Sequence, residues 1–445
     1  MPRVACARHR LRPDHAYASR SRFPPQDPWQ QHGANPERES GGLRPGDETV
    51  DRTTQREKIL NDMGISPNRP AGFWPDPDQQ NLLDACLLEG DPALAAWRRW
   101  EHADIDNLDQ GSFRLLPLLS RNLESLGVDA PCLPKLRGVR RHFWVRNQLL
   151  FHHMGLLLQQ FKAVGIRTLV LKGAPLSLAY YPNPGLRPMS DFDILIHPGD
   201  RDSALDLLAP GKWKPIYFPA FADLSRSYLS FATSHGFRDD EQREIDLHWY
   251  LFPTCADPDC DRHFWERAEP FALGEVSALT LAPGDHLLHI CTHGAAWNEI
   301  PPIRWVADAV TVLRRAGDRI DWEALVEESE RHRCGLLLHE TLSYLKTRYN
   351  VSIPDRALEL LRNASADRRQ QFLLRAQSTP LSARGFAMEF RLLRHAQTDW
   401  VGREKVSGGV NTFLKVMQHT AKKSSIPQML GYATKQAGKR LRRKA

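Results

Sequence analysis

Three stretches decide the fold: Leu169-Val-Leu-Lys-Gly-Ala-Pro175, Arg187-Pro-Met-Ser-Asp-Phe-Asp-Ile-Leu195 and Glu244-Ile-Asp-Leu-His-Trp249. The first two carry short aliphatic runs of strand character, Arg167–Lys172 and Asp191–His197, and the third reads as a strand over Arg243–Trp249. Between the first two lie a short helix, Pro175–Tyr181, and a breaker-rich loop, Pro182-Asn-Pro-Gly-Leu-Arg-Pro188. A helix is expected at Asp202–Leu208, with further strands near Lys214–Phe218 and Ser230–Phe237. Residues 165–280 are therefore expected to form a small α+β module built on a mixed sheet.

The chemistry of the module rests on its aspartates. Positions i and i+2 of a strand share a face, about 6–7 Å apart. Asp191 and Asp193 held so would repel by about 2–3 kcal/mol at an effective dielectric of about 20. A divalent cation relieves that repulsion, and Mg²⁺ typically takes one or two carboxylates plus substrate phosphates. Asp246 is flanked by apolar Ile245 and Leu247, so it faces away from them. If its strand pairs beside Asp191–Ile196, three carboxylates converge as they do around two-metal phosphoryl-transfer sites. Gly173 and Ala174, directly after a strand and ahead of a helix, allow backbone N–H groups to approach a phosphate. Lys172 and Arg187 are the nearby cations that could hold phosphate oxygens.

Helical periodicity surrounds the module. Residues 58–164 read as helices: one opening at Asp91-Pro92, one through Leu115–Leu123, and a long one, Lys135–Val164, stopped by Gly165. The long helix is expected to turn Phe143, Val145, Leu149, Leu150, Met154, Leu157, Leu158 and Phe161 inward. Residues 281–400 read as helices again, at Gly284–Trp297, Arg304–Arg315, Trp322–His332 and Leu336–Tyr349. Residues 1–57 read as a disordered leader, with Met63 an alternative start, and residues 401–445 as a basic tail.

These pieces resemble the bacterial "uncharacterised nucleotidyltransferase" family of the polymerase-β-type superfamily. The resemblance is carried by Lys172-Gly173-Ala174, Tyr180-Tyr181, Pro184-Gly185-x-Arg187-x-Met189-x-Asp191-x-Asp193 and Asp246-x-His248-Trp249. It extends to His293-Gly294 and Arg304-Trp305-x-x-Asp308. It implies a nucleotidyltransferase module flanked by helical regions, with Asp191, Asp193 and Asp246 catalytic and metal-binding. Lys172, Gly173, Ala174 and Arg187 would then bind the nucleotide. Two Mg²⁺ ions are the implied cofactor, with Mn²⁺ able to substitute. Two departures stand out: Ala174 takes the place of the usual Gly or Ser, and 16 residues separate Ala174 from Asp191.

Composition narrows the remaining classes. The chain has 445 residues, 60 Lys+Arg, 53 Asp+Glu and a net charge of +7. Residues 421–445 hold eight cations and no acid, and residues 1–25 hold six Arg against Asp14, so residues 26–420 come to about −6. A body shaped to grip a duplex is disfavoured; the tail alone could contact anionic lipid or RNA. There is no run of 18 apolar residues and no apolar signal segment. Seven scattered cysteines argue against a disulfide framework, and together these point to the cytoplasm. His286, His289 and His293, and Cys255 and Cys260 with His263, read as packing rather than zinc sites. The expected activity is Mg²⁺-dependent transfer of a nucleoside monophosphate from an NTP to an unidentified hydroxyl acceptor, releasing pyrophosphate. The alternative is a catalytically silent nucleotide-binding or scaffold protein of the same fold.

Overall fold

The computed structural model describes residues 73–295, 302–364, 367–379, 384–423, 425–429 and 431. The expected leader, Met63, the end of the helix expected to reach Trp297, and residues 432–445 of the tail lie outside them. The chain enters through α1 (Pro77–Leu87) and α2 (Gly90–Trp100). At the start of α1 the Asp76 side chain accepts from the Gln79 N–H, and the Gln79 side chain accepts from the Asp76 N–H. Asp91 does not cap α2 as expected. The chain turns in through Gly90 at φ 56°, so Asp91 falls inside the first turn, its charge still favourable to the helix N-terminus.

After α3 (Leu116–Ser125) comes the 31-residue α4 (Leu133–Ala163). Its buried residues are Phe143, Asn147, Leu150, Phe151, Met154, Leu157, Leu158 and Phe161 among others. Val145 and Leu149 lie outside that stripe and are exposed; runs of apolar residues made the inward face look wider than the 3.6-residue period allows. Gly165, at φ 80°, ends the helix.

A seven-stranded mixed sheet follows, in the order β3-β4-β5-β2-β1-β7-β6. Its strands are β1 (Thr168–Leu171), β2 (Asp191–Ile196), β3 (Lys214–Pro215), β4 (Ser234–Arg238), β5 (Glu244–His248), β6 (Glu269–Leu273) and β7 (Val276–Thr280). The first helices among them are α5 (Arg201–Leu208) and α6 (Arg226–Phe231). Ser230 and Phe231 belong to α6 rather than to a strand, because Ser225 caps that helix by accepting from the Tyr228 N–H. The hairpin β6–β7, turning at Gly274 (φ 61°), was not among the expected strands. It extends the sheet through a parallel pairing of β7 with β1.

Alternation splits the strands between two cores. Val170, Phe192, Ile194, Ile196, Ile245 and Leu247 pack with α4 and α5 on one face. Leu169, Leu171 and Leu195 join a second core with the helices of both flanks. Those on the C-terminal side are α7 (Pro283–Gly294), α8 (Arg304–Ala316), α9 (Trp322–Arg331), α10 (Gly335–Tyr349) and α11 (Asp355–Ala364); α12 (Arg368–Ser378), α13 (Phe386–Glu404) and α14 (Val410–Thr420) follow outside that core. A Cβ at Gly294 would overlap the Trp305 side chain, so α7 and α8 meet where only glycine fits.

One cysteine expectation is corrected. Cys255 and Cys260 form a disulfide, their Cα atoms 6.1 Å apart. An odd number of cysteines excludes complete pairing but not one local bridge across a turn. No helix among the described residues is long and apolar enough to cross a membrane.

Candidate active site

The second core's face of the sheet carries the polar centre. β2 runs parallel to β5, with Asp193 opposite Asp246 and Leu195 opposite His248. Because side chains alternate, Asp193, Asp246 and His248 project from one face while Ile245 and Leu247 enter the other core. The three residues each offer a ligand atom, all within 4.8 Å of one another. His248 Nε2 lies 3.3 Å from Asp246 Oδ2 and 3.4 Å from Asp193 Oδ1. It is buried and makes no well-formed hydrogen bond. The carboxylate pair is a donor set that suits a divalent cation.

Lys172 completes the centre. Its Nζ is 2.7 Å from Asp193 Oδ1 and 3.1 Å from His293 Nε2. The residue ends β1 at φ 45°, ψ −100°, a sparsely populated conformation costing about 1–3 kcal/mol. Burial opposes ionisation of Asp193, but Lys172 and His248 outweigh it and hold the carboxyl well below its ordinary value. Burial likewise opposes ionisation of Asp246, and His248 overcomes it. The His248 ring loses by burial and gains more from Asp246 and Asp193, which push it up to about 9. Two carboxylates are thus balanced by an ammonium and an imidazolium.

Asp191 stands apart from that group. It lies on the same face of β2, accepts from Ser190 Oγ at 3.2 Å and lines a neighbouring cleft. Burial and the charge of Asp193 raise its carboxyl above the usual range. The cleft encloses about 280 Å³. Gly173 lines it, and a Cβ there would come within 2.7 Å of Met189 Cε. Ala174 does not line it: the side chain is fully buried in the α4-side core. The expected helix after Gly173 is a three-residue turn followed by a π turn, Leu176–Tyr180. These take up part of the long interval to Asp191, and π turns concentrate at functional sites.

Arg187 is tied down rather than free to meet phosphate. It is 3% exposed, and its Nε and Nη2 donate to the two carboxylate oxygens of Asp308, each at 2.8 Å. Tyr181 Oη donates to the same carboxylate at 2.8 Å. Asn147 of α4 donates to the carbonyls of Pro184 and Arg187. The loop before β2 is thereby fixed to α8 on one side and α4 on the other.

Two further cations of the cleft had no phosphate-binding role in the sequence reading. Arg114 follows a four-residue helix ahead of α3, and Arg304 opens α8; both line the cleft with Lys172 and Arg187. Arg304 donates to the Pro188 carbonyl at 2.6 Å, and burial, then Arg187, push its guanidinium down to about 10. Burial also lowers Arg114. Among the described residues four cations face three carboxylates, Asp191, Asp193 and Asp308, around this cleft, which suits a polyanion. Arg304 entered the sequence reading only as part of the family resemblance; nothing in the sequence around Arg114 marked it.

A mixed sheet carrying paired carboxylates beside a cation-lined cleft, clasped by helices, defines a class of α+β protein with an acidic centre set against a basic cleft. Within that class, the family described as "Uncharacterised nucleotidyltransferase" matches residues 112–350. The chain belongs to that family. No curated protein matches it.

Proposed function

We propose that the protein is a Mg²⁺-dependent nucleotidyltransferase that moves a nucleoside monophosphate from an NTP to a hydroxyl acceptor, releasing pyrophosphate. The observation that supports it best is the register of β2 and β5, which sets Asp193 beside Asp246 at the edge of a cation-rich cleft. Asp193 and Asp246 are the residues to hold the ion, with His248 beside them and Asp191 toward a second ion; Mn²⁺ suits the same oxygens. Bound there, the metal would neutralise charge on the triphosphate and on the departing pyrophosphate. Arg114 and Arg304, with the Gly173 backbone, receive the phosphate oxygens. Lys172, displaced from Asp193, becomes a further phosphate partner. Arg187 and Asp308 act by fixing the loop that presents Asp191 and Asp193. Asp246 takes the proton of the attacking hydroxyl.

Pyrophosphate release from each of the four NTPs, with Mg²⁺ and a mixed metabolite extract, tests this reading. Asp193→Asn should abolish release and keep the fold, because the amide loses the charge and keeps the shape. Undiminished release in that variant rejects the metal assignment. A second reading, a catalytically silent nucleotide-binding protein, draws on the Lys172–Asp193 ion pair and the buried Ala174. Metal-dependent NTP binding with no pyrophosphate release from any extract fraction would favour it.

A further inference from the structure

Behind the cleft is a second cavity of about 180 Å³, bounded by the Leu251–Thr254 segment after β5 and by α7, α10 and α12. It shares two wall residues with the cleft, His289 and His293. His293 accepts from the Lys172 ammonium that also contacts Asp193, so the carboxylate centre lies just past this wall. We propose that this second cavity is the acceptor subsite, and that it takes a small, uncharged, ring-sized compound bearing a hydroxyl group; the proposal rests on the transferase reading above.

Thr254, Thr292 and Gln370 of the cavity wall are already hydrogen-bonded, whereas His289 is unspent. His289 is 1% exposed and neither ring nitrogen has a hydrogen-bond partner. His332 is fully buried, with its Nε2 turned to the buried Glu328 carboxylate 3.6 Å away. A ligand hydroxyl satisfies the buried nitrogens of His289, which otherwise stand without a partner. Burial, reinforced by Lys172, holds the His289 ring neutral, so it both donates and accepts. Phe252 meets that ring edge-on at 5.8 Å, and Leu337, Leu373 and Leu374 supply apolar wall.

Charge separates the two chambers. Among the described residues the cleft is lined by four Lys and Arg side chains, whereas Arg333 is the one such residue lining the second cavity, and it lies 3.7 Å from Asp399. A triphosphate belongs in the first chamber and a neutral body in the second. The volume also fits one ring: an apolar cavity of about 150 Å³ holds benzene. In the transfer the acceptor hydroxyl oxygen bonds to the α-phosphorus and the bond from that phosphorus to the α,β-bridging oxygen breaks. Pyrophosphate departs with the bridging oxygen, and the hydroxyl proton passes to Asp246.

Phenol is a suitable probe, followed by saturation-transfer NMR on the full chain. Binding should be seen with the wild type, persist in Asp193→Asn, and be indifferent to added pyrophosphate. Gln377→Trp and Leu373→Trp, at two half-buried wall positions, should each weaken phenol at least tenfold while far-UV circular dichroism and the thermal shift with ATP and Mg²⁺ stay as in the wild type. In the pyrophosphate assay these variants should raise the KM of the acceptor fraction and not that of the NTP. Absent phenol binding, or binding unchanged in both folded variants, overturns the subsite. Phenol binding lost in the variants, with no effect of ATP and Mg²⁺ on the wild type, leaves a ring-binding cavity and instead overturns the transferase reading, taking the acceptor role with it.

Discussion

Arg187 and Arg114 line the same cleft with opposite commitments. Arg187 gives Nε and Nη2 to Asp308 and Nη1 to the Gly173 carbonyl, and its charge is cancelled inside the protein. Arg114 faces Asp191 and the cleft with its charge largely in hand. A charged hydrogen bond is worth about 1.5–3 kcal/mol, so Arg114→Met should raise the KM for NTP by about ten- to a hundredfold. Because the contact is present before and during reaction, kcat should change little; steady-state kinetics against NTP concentration checks both. The pairing of Asp193 with Asp246 was legible because alternation and the apolar neighbours of Asp246 fix which way each points. The Arg187–Asp308 bond was not, since its partners lie 121 residues apart and no local pattern joins them. His248 was visible only as part of the Asp246-x-His248-Trp249 motif; the strand register places its nitrogen between two carboxylates.

Elements were read best where their pattern is continuous. β1, β2, β5 and α4 were found close to their true bounds. β6 was not, partly because Pro270 sits within it; a proline signals against a strand except at an edge, and β6 is the edge of the sheet. The contact of α7 with α8 carries an element-scale prediction. Gly294→Ala puts a methyl group into the Trp305 side chain, and Trp305 is itself held by a hydrogen bond to the Phe73 carbonyl and by Trp74 and Tyr344. The overpacking should cost about 1–3 kcal/mol, read as a lower midpoint in urea. An unchanged midpoint would mean that the two helices slide apart freely.

Across the whole molecule, buried neutral histidines set the response to acid. Burial pushes His286 down to about 3 and His235 down to about 4, against about 6.5 in the unfolded chain. Above pH 6.5 neither state binds these protons, so their contribution is fully present. As pH falls below 6.5 the unfolded chain takes up protons that the fold refuses, and stability drops by about 1.4 kcal/mol per pH unit for each ring. The loss ends near the folded values. Asp261, pushed up to about 6 by burial, runs the other way: below pH 6 the fold gains from its proton and offsets about one ring. The melting temperature should therefore fall from pH 7 to pH 4.5, and fall less steeply in His286→Gln/His235→Gln. A flat profile in the wild type would contradict the assignment.

The ammonium of Lys172 bears on the order in which the site fills. With Asp193 already satisfied, a solitary divalent ion must evict a tenant and leave a positive group homeless in a cleft that already holds an excess of them. A triphosphate arriving with its ion offers that group a new address in the same step. On the proposed reading the resting centre should thus be nearly indifferent to Mg²⁺ alone and responsive to the Mg²⁺–nucleotide pair, which makes the lysine a gatekeeper against futile metal loading.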